Sequence, residues 1–140
     1  MARKSPLEML ACVTLFEGLS RKELLAIEKQ AHEVEFPAGA TIVTQGDEGV
    51  GFHMILSGRA KVIVNGRTRD TLGAGKYFGE LSVIDHGPRT ATVKAETAVR
   101  TLSLTSWQFM PIVEKNPSIA RKILLELAGR LREERRDPTH

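Results

Sequence analysis

The chain has 140 residues and a mass of 15.4 kDa, the size of one ordinary domain with a real core, so we predict a single domain over residues 1–140. Twenty basic and 17 acidic residues give a net charge of +3, too small a surplus to indicate a nucleic-acid partner. The longest apolar run, Met9 to Val13, has five residues, far below the ~20 that cross a bilayer. With one cysteine no internal disulfide can form, and we expect a cytoplasmic protein with no membrane partner.

Residues 1–32 are predicted to form helices. Ser5-Pro6-Leu7-Glu8 and Ser20-Arg21-Lys22-Glu23 are capping boxes, each with a serine N-cap and a glutamate three residues later. Cys12 lies among apolar neighbours and is expected in the core. Helical spacing predicts buried faces that comprise Leu7, Leu10 and Ala11 in the first helix and Leu24, Ile27 and Ala31 in the second.

Residues 33–104 change to the alternating pattern of half-buried strands, as in Phe52, Met54 and Leu56. Turn signals separate the strands, and Asn65-Gly66 is the strongest short hairpin signal among them. Two segments, Arg89 to Glu96 and Val99 to Leu104, complete the strand region. Many short strands at regular spacing predict a small antiparallel barrel or sandwich, flanked by helices in an α+β fold.

Residues 105–136 return to a helical period. Thr105-Ser-Trp-Gln108 is a third capping box, and Asn116-Pro117 is typical of an N-cap followed by the first helical position. Trp107, in the first turn, is predicted to pack against its neighbours. One stripe of the last helix carries Ala120, Ile123, Leu124, Leu127 and Leu131.

One segment, residues 75–93, is longer than two strands need for a connection. Between Gly79 and Ile84 the residues suit one or two helical turns, whose free N–H groups would attract an anion. Pro88 ends that helix, and Arg89 can donate two parallel hydrogen bonds to a phosphate. The Glu80 carboxylate can accept from a sugar hydroxyl. These features predict a pocket for a phosphorylated sugar.

Phe78-Gly-Glu-Leu81 followed by Pro88-Arg-Thr-Ala-Thr-Val93 strongly resembles the phosphate-binding cassette of cyclic nucleotide-binding domains. These domains occur in catabolite-activator-type regulators, cyclic-nucleotide-dependent kinases and cyclic-nucleotide-gated channels. The resemblance implies a jelly-roll-like, eight-stranded antiparallel β-roll over residues 33–104, with a cassette at 78–92. It also implies N-terminal helices and a C-terminal helical lid.

The resemblance also implies a role for each site residue. Arg89 is similar to the arginine that holds the cyclic phosphate, and Glu80 to the acid that accepts the ribose 2′-OH. The hydroxyl of Thr90 is placed to bond either the phosphate or a guanine. Backbone approach to the sugar-phosphate is implied for Gly79, Leu81, Ser82 and Ala91, and a lid over the base for Leu124, Leu127, Arg130 and Leu131.

The function this implies is regulatory binding of a cyclic purine nucleotide, with cyclic AMP favoured and cyclic GMP possible. No cofactor is expected, and no catalytic residue, because no nucleophile or base can be assigned in the pocket. No metal is expected either, because the four histidines lack the spacing of metal ligands. The mechanism would be a population shift in which the lid helix moves. We expect a protein partner or an effector domain, with a homodimer as one form of such a partner, and no nucleic acid bound by this chain itself.

Three other interpretations stay open on the sequence. The chain can be the N-terminal sensor of a larger transcription regulator, or a degenerate module that binds nothing. A β-barrel with a histidine can also be a cupin-like metalloenzyme, but such sites pair histidines two residues apart, and Ile55 occupies the position that would pair with His53.

Overall fold

A computed structural model of the chain describes residues 5–48, 51–80, 84 and 87–136, with helices on both sides of a β region. Within these ranges, no helix is both long and apolar enough to pass through a membrane. The N-terminal helices are α1 (Pro6–Cys12), a short 3-10 helix (Thr14–Phe16) and α2 (Arg21–Gln30), and the C-terminal helices are α3 (Ser106–Lys115) and α4 (Pro117–Arg136).

The predicted capping box of α2 forms in full, whereas at α1 only half of the predicted box forms, with Ser5 Oγ accepting from Glu8 N at 3.2 Å. Ser20 Oγ accepts from Glu23 N at 3.2 Å while Glu23 Oε1 accepts from Ser20 N at 2.9 Å. The predicted face of α1 is partly wrong, since Met9 is buried beside Leu10 whereas Ala11 and Cys12 are exposed. A seven-residue helix has only one stripe against α2, and successive residues turn away from it by about 100°.

Eight antiparallel strands form two four-stranded sheets, which confirms the expected β-roll. The first sheet has the order β1-β8-β3-β6 and the second β2-β7-β4-β5. The strands are β1 (His32–Phe36), β2 (Thr41–Val43), β3 (Gly51–Ser57), β4 (Ala60–Val64), β5 (Arg67–Leu72), β6 (Tyr77–Phe78), β7 (Thr92–Ala95) and β8 (Val99–Thr105).

The Asn65-Gly66 hairpin is confirmed by its backbone angles. Asn65 has φ of +52° and Gly66 of +80°, the positive pair that a two-residue type I′ turn requires. The turn joins β4 to β5, with Val64 opposite Arg67.

The strand predicted from Arg89 to Glu96 begins later than expected, because β7 starts at Thr92, whereas β8 begins at Val99 as predicted. The backbone of Arg89 is hydrogen-bonded to a different partner, the turn at residues 46–48. This pairing takes Arg89 out of the β7 ladder and leaves its side chain directed into the roll.

Two apolar clusters hold the layers together. One lies between the first sheet and the helices and includes Phe16, Phe52 and Phe109, while the other lies inside the roll and includes Ile55 and Phe78. The ring of Phe52 stacks on Phe109 with centroids 4.7 Å apart. The helices are therefore fixed to the sheet that carries β3 and β6.

The C-terminal helices correct two predictions. Trp107 is 68% exposed and does not pack as expected. In α4 the deeply buried residues are Ile119 and Ile123, while Leu124 is 66% exposed. The helical period indicates a shared stripe but not its width. Ala120 and Leu127 pack against the same core beside Ile119 and Ile123, whereas Leu124 and Leu131 at the edge of the stripe are exposed.

Candidate functional site

Arg89 is held from its backbone outward. Arg89 N donates to Asp47 O at 2.8 Å, Arg89 O accepts from Gly46 N at 2.9 Å, and Pro88 pairs with Glu48 across an antiparallel bridge. These bonds fix the loop against the turn that follows β2. The side chain therefore starts from a rigid position.

The Arg89 guanidinium is buried, with 8% of the residue exposed. Its Nη1 donates to Gly51 O at 2.9 Å at the start of β3. Burial lowers the pKa of Arg89 and the nearby Glu80 partly offsets this effect. Among the described residues no carboxylate forms an ion pair with it. A buried cation in this state is stabilised by an anion that enters the site.

Gly79 lies directly against Arg89 and Gly51. Its φ is +93°, in the left-handed region that favours glycine. A Cβ atom at this position would lie far inside contact distance of Gly51 O and 2.6 Å from Arg89 Nη1. The chain just after β6 can approach Gly51 and Arg89 this closely only because glycine has no side chain.

Glu80, the next residue, carries a carboxylate that is almost wholly buried, with 2% of the residue exposed. Its Oε1 lies 3.1 Å from Arg130 Nη2 on α4, while its Oε2 is buried without a partner among the described residues. Burial raises the pKa of Glu80, and the Glu126 carboxylate raises it further. An acceptor atom left unpaired in this way suits a hydroxyl donor.

The site residues share one cleft of about 1310 Å³, above the usual ~300–1,000 Å³ of small-molecule pockets. Its polar end is formed by Gly79, Glu80, Arg89, Thr90 and Ala91, and its edge along α4 by Leu127, Arg130 and Leu131. Two of the residues that we expected at the site, Leu81 and Ser82, lie outside the described residues. Leu124 is not among the lining residues, contrary to the expected lid. Apolar walls come from Val43, Val62, Val64, Leu72 and Val93.

Sequence reasoning missed Tyr77, which lines the cleft, and Glu126, which is hydrogen-bonded to it. Glu126 on α4 accepts from the Tyr77 hydroxyl at 2.8 Å through Oε2, and its Oε1 lies 2.6 Å from Arg130 Nη2. The four-residue spacing of Glu126 and Arg130 was a readable signal. Tyr77 carries no such signal, because its partner is 49 residues away.

His53 lies inside the roll, beside the site. Its Nδ1 is 2.7 Å from Ser103 Oγ and its ring stacks on Phe78 with centroids 5.0 Å apart. Burial lowers the pKa of His53 to about 4, and the positive charge of Arg89 contributes. Within the described part of the chain, no group of three or more His, Cys, Asp and Glu side chains is placed to hold a metal ion.

Taken together, these observations define the chain as a ligand-binding β-roll module, with an arginine and a carboxylate buried at one end of a cleft and a C-terminal helix along its edge. A sequence model of the cyclic nucleotide-binding domain matches residues 33–116, which include all but the first residue of the roll, the polar end of the cleft and α3, and which end before α4. The chain belongs to the cyclic nucleotide-binding domain family.

Relatives of known identity agree with this assignment. The chain is 34% identical over 130 residues to a CRP-like cAMP-activated global transcriptional regulator of Mycobacterium tuberculosis, a match that covers 89% of the chain and 58% of the regulator. It is 37% identical over 125 residues to a cyclic nucleotide-gated potassium channel of Rhizobium etli, with 87% of the chain and 35% of the channel covered.

A solved structure shows the same architecture. The catabolite activator protein of Thermus thermophilus superposes with a TM-score of 0.78 at 31% identity, over 86% of this chain and 59% of that one. The chain therefore spans between about a third and three fifths of these three relatives.

Proposed function

We propose that the cleft binds a cyclic purine nucleotide, with cyclic AMP favoured over cyclic GMP, and that this binding is regulatory. The observation that carries the proposal is the buried Arg89, which has no carboxylate partner in the described part of the chain and lies beside Gly79. One residue further on, Glu80 offers an unpaired buried oxygen. A cyclic phosphate satisfies the arginine and the adjoining ribose 2′-OH satisfies the carboxylate.

The phosphate contacts are assigned to one end of the cleft. Arg89 donates one hydrogen bond to Gly51 O, and its other N–H groups are available for a bidentate contact with phosphate oxygens. Thr90 and Ala91 follow Arg89 in the lining of the cleft and approach the same group. Leu81 and Ser82 are proposed to complete this end of the site.

The base is proposed to lie along the apolar walls, which include Val62, Val64 and Leu72, with Leu127, Arg130 and Leu131 of α4 over it. A mainly apolar surface discriminates weakly between two purines, because selectivity needs a polar group that the wrong ligand leaves unpaired. Cyclic AMP is favoured because the relative from Mycobacterium tuberculosis is cAMP-activated. Thr90 is the residue that would favour cyclic GMP.

The regulatory step is proposed to be a shift of α4. Arg130 on this helix contacts Glu80, so a ligand that engages Glu80 changes a contact between the helix and the roll. No step of bond chemistry is proposed. The ligand acts by its greater affinity for one position of α4.

The output is proposed to be a partner protein or an effector domain. The relatives of known identity are longer than the matched segment, and one of them is a transcription regulator, which supports a sensor role within a larger protein. Leu124 and Leu125 of α4 are exposed and provide an apolar surface for such a partner, a second copy of the chain included. Sedimentation analysis with and without cyclic AMP tests the homodimer.

Isothermal titration with cyclic AMP and cyclic GMP tests the proposed ligand. Arg89→Ala should abolish measurable binding, because it removes a charge-assisted contact worth about 1.5 to 3 kcal/mol per bond. Arg89→Lys should restore only part of it, since an ammonium group cannot form the planar fork. Arg59→Ala is the matched control, because Arg59 is an exposed arginine paired with Glu96 at 3.4 Å. Unchanged affinity in Arg89→Ala would remove the assignment of the phosphate site.

A further inference from the structure

Glu126 joins two parts of the molecule that sequence reasoning did not connect. Its Oε2 accepts from the Tyr77 hydroxyl at 2.8 Å, and its Oε1 lies 2.6 Å from Arg130 Nη2. Glu126 and Arg130 belong to α4, whereas Tyr77 belongs to β6, which leads directly into Gly79 and Glu80. The glutamate therefore bonds the helix to the strand that carries the site.

Tyr77 is a fixed point on the roll. Its backbone pairs with Met54 in β3, and its half-buried ring packs against Phe52 with centroids 5.5 Å apart. Burial raises the pKa of Tyr77, and the hydrogen bond to Glu126 adds to this, so the hydroxyl stays protonated and donates. A helix bonded to this hydroxyl is located relative to the site.

Arg130 is shared between two carboxylates through the same nitrogen atom. Nη2 lies 2.6 Å from Glu126 Oε1 and 3.1 Å from Glu80 Oε1. The first contact joins residues four apart on one helix and exists wherever α4 lies. The second exists only when α4 covers the cleft, so the helix contact by itself does not hold Arg130 at the site.

We propose that the Tyr77–Glu126 hydrogen bond is a latch that holds α4 over the cleft and directs the guanidinium of Arg130 toward Glu80 and the bound nucleotide. Tyr77 and Glu126 are positioning residues in this role. The consequence for ligand binding rests on the proposed function. The position of α4 in the ligand-free protein is a separate claim that does not rest on the proposed function.

The latch predicts how each change acts on ligand kinetics. With the hydroxyl removed, Glu126 keeps its contact with Arg130 but no longer ties it to β6, so the covered position of the cleft is less populated. A bound ligand then escapes faster, and the dissociation rate is the quantity in which changes at one binding site mostly appear. We expect Tyr77→Phe and Glu126→Gln each to raise the dissociation rate of cyclic AMP about three- to tenfold.

The first experiment measures dissociation by stopped-flow displacement in wild type, Tyr77→Phe, Glu126→Gln and the double variant. Because both residues serve one bond, the double variant should be no faster than the faster single variant. Glu114→Gln on α3 removes the same charge from an exposed residue away from the site and should leave the rate unchanged. Thermal unfolding of each variant checks that the fold persists.

The second experiment needs no ligand. Hydrogen exchange of the α4 amides should be faster in Tyr77→Phe than in wild type, and unchanged in Glu114→Gln. Equal exchange together with equal dissociation rates would overturn the latch. Additive effects in the double variant would show two separate contacts and overturn it as well. A wild-type protein that binds no cyclic nucleotide would refute the proposed function, and the exchange measurement would still decide on the latch.

Discussion

Replacing Gly79 by alanine tests whether the close approach of β6 to Arg89 builds the site. Alanine at φ of +93° is strained wherever it occurs, at a cost of about 1 to 2 kcal/mol. At this position the new Cβ also collides with Gly51 O and lies 2.6 Å from Arg89 Nη1. Both groups must move, and they are the two partners of the hydrogen bond that orients the guanidinium.

The chain contains a control that separates strain from collision. Gly75 has φ of +88°, and a Cβ there would meet nothing within 4 Å. Gly75→Ala should therefore cost only the backbone strain, about 1 to 2 kcal/mol. Gly79→Ala adds the loss of a hydrogen bond from a charged group, about 1.5 to 3 kcal/mol, for a total of about 3 to 5 kcal/mol. At about 3 °C per kcal/mol, the two melting temperatures should fall by about 4 °C and about 12 °C.

Calorimetric melting and titration with cyclic AMP measure both effects. Gly75→Ala should bind with nearly wild-type affinity, whereas Gly79→Ala should lose about a hundredfold or more, equivalent to about 2.8 kcal/mol. Wild-type affinity in Gly79→Ala would refute the reasoning, because the ligand would then not depend on the placement of Arg89. Equal losses in both variants would show that backbone strain alone is responsible.

Three further predictions concern single side chains. Glu80→Gln should weaken cyclic AMP by about 1 to 2 kcal/mol and 2′-deoxy cyclic AMP much less, so equal losses in titration would contradict the ribose contact. Wild type should bind cyclic AMP and cyclic GMP with affinities within about tenfold of each other. Thr90→Ala should weaken the binding of cyclic GMP more than that of cyclic AMP, and equal losses in competition titrations would contradict a base contact. The pKa of His53 is about 4 in the folded chain, whereas an unfolded histidine has a pKa near 6.5. Between these values only the unfolded chain binds the proton, so the free energy of unfolding should fall by about 2 kcal/mol from pH 7 to pH 5. Urea unfolding of wild type and His53→Phe isolates this loss. The raised pKa of Glu80 changes the stability in the opposite direction, but it does so equally in both proteins and cancels in the comparison. An equal loss in the variant would disprove the assignment.

Local structure was readable from the sequence where the determining bonds span a few residues. Ser20 and Glu23 cap α2 through bonds three residues apart, and Asn65-Gly66 needs only its own backbone angles to turn the chain. The same holds for the order of helices and strands. Short-range geometry depends little on what the segment later packs against.

The site was readable in part for a related reason. Gly79, Glu80 and Arg89 lie within eleven residues of one another, and their residue types carry the chemistry of an anion and a hydroxyl site. Gly51, whose carbonyl fixes the guanidinium, lies 38 residues from Arg89, and no pattern in the sequence marks it. The sequence therefore indicated the side chains of the site, but not the backbone carbonyl that orients the guanidinium of Arg89.

The last helix shows what only tertiary structure decides. By itself the sequence determined that residues 117–136 form a helix with an apolar stripe, because the 3.6-residue period specifies which side chains share a face. It did not determine that Ile123 is buried while Leu124 is exposed, or that Glu126 reaches Tyr77 across 49 residues. Those outcomes depend on which part of the helix packs against the rest of the protein. The periodic pattern of the helix carries no information about the surface against which the helix packs.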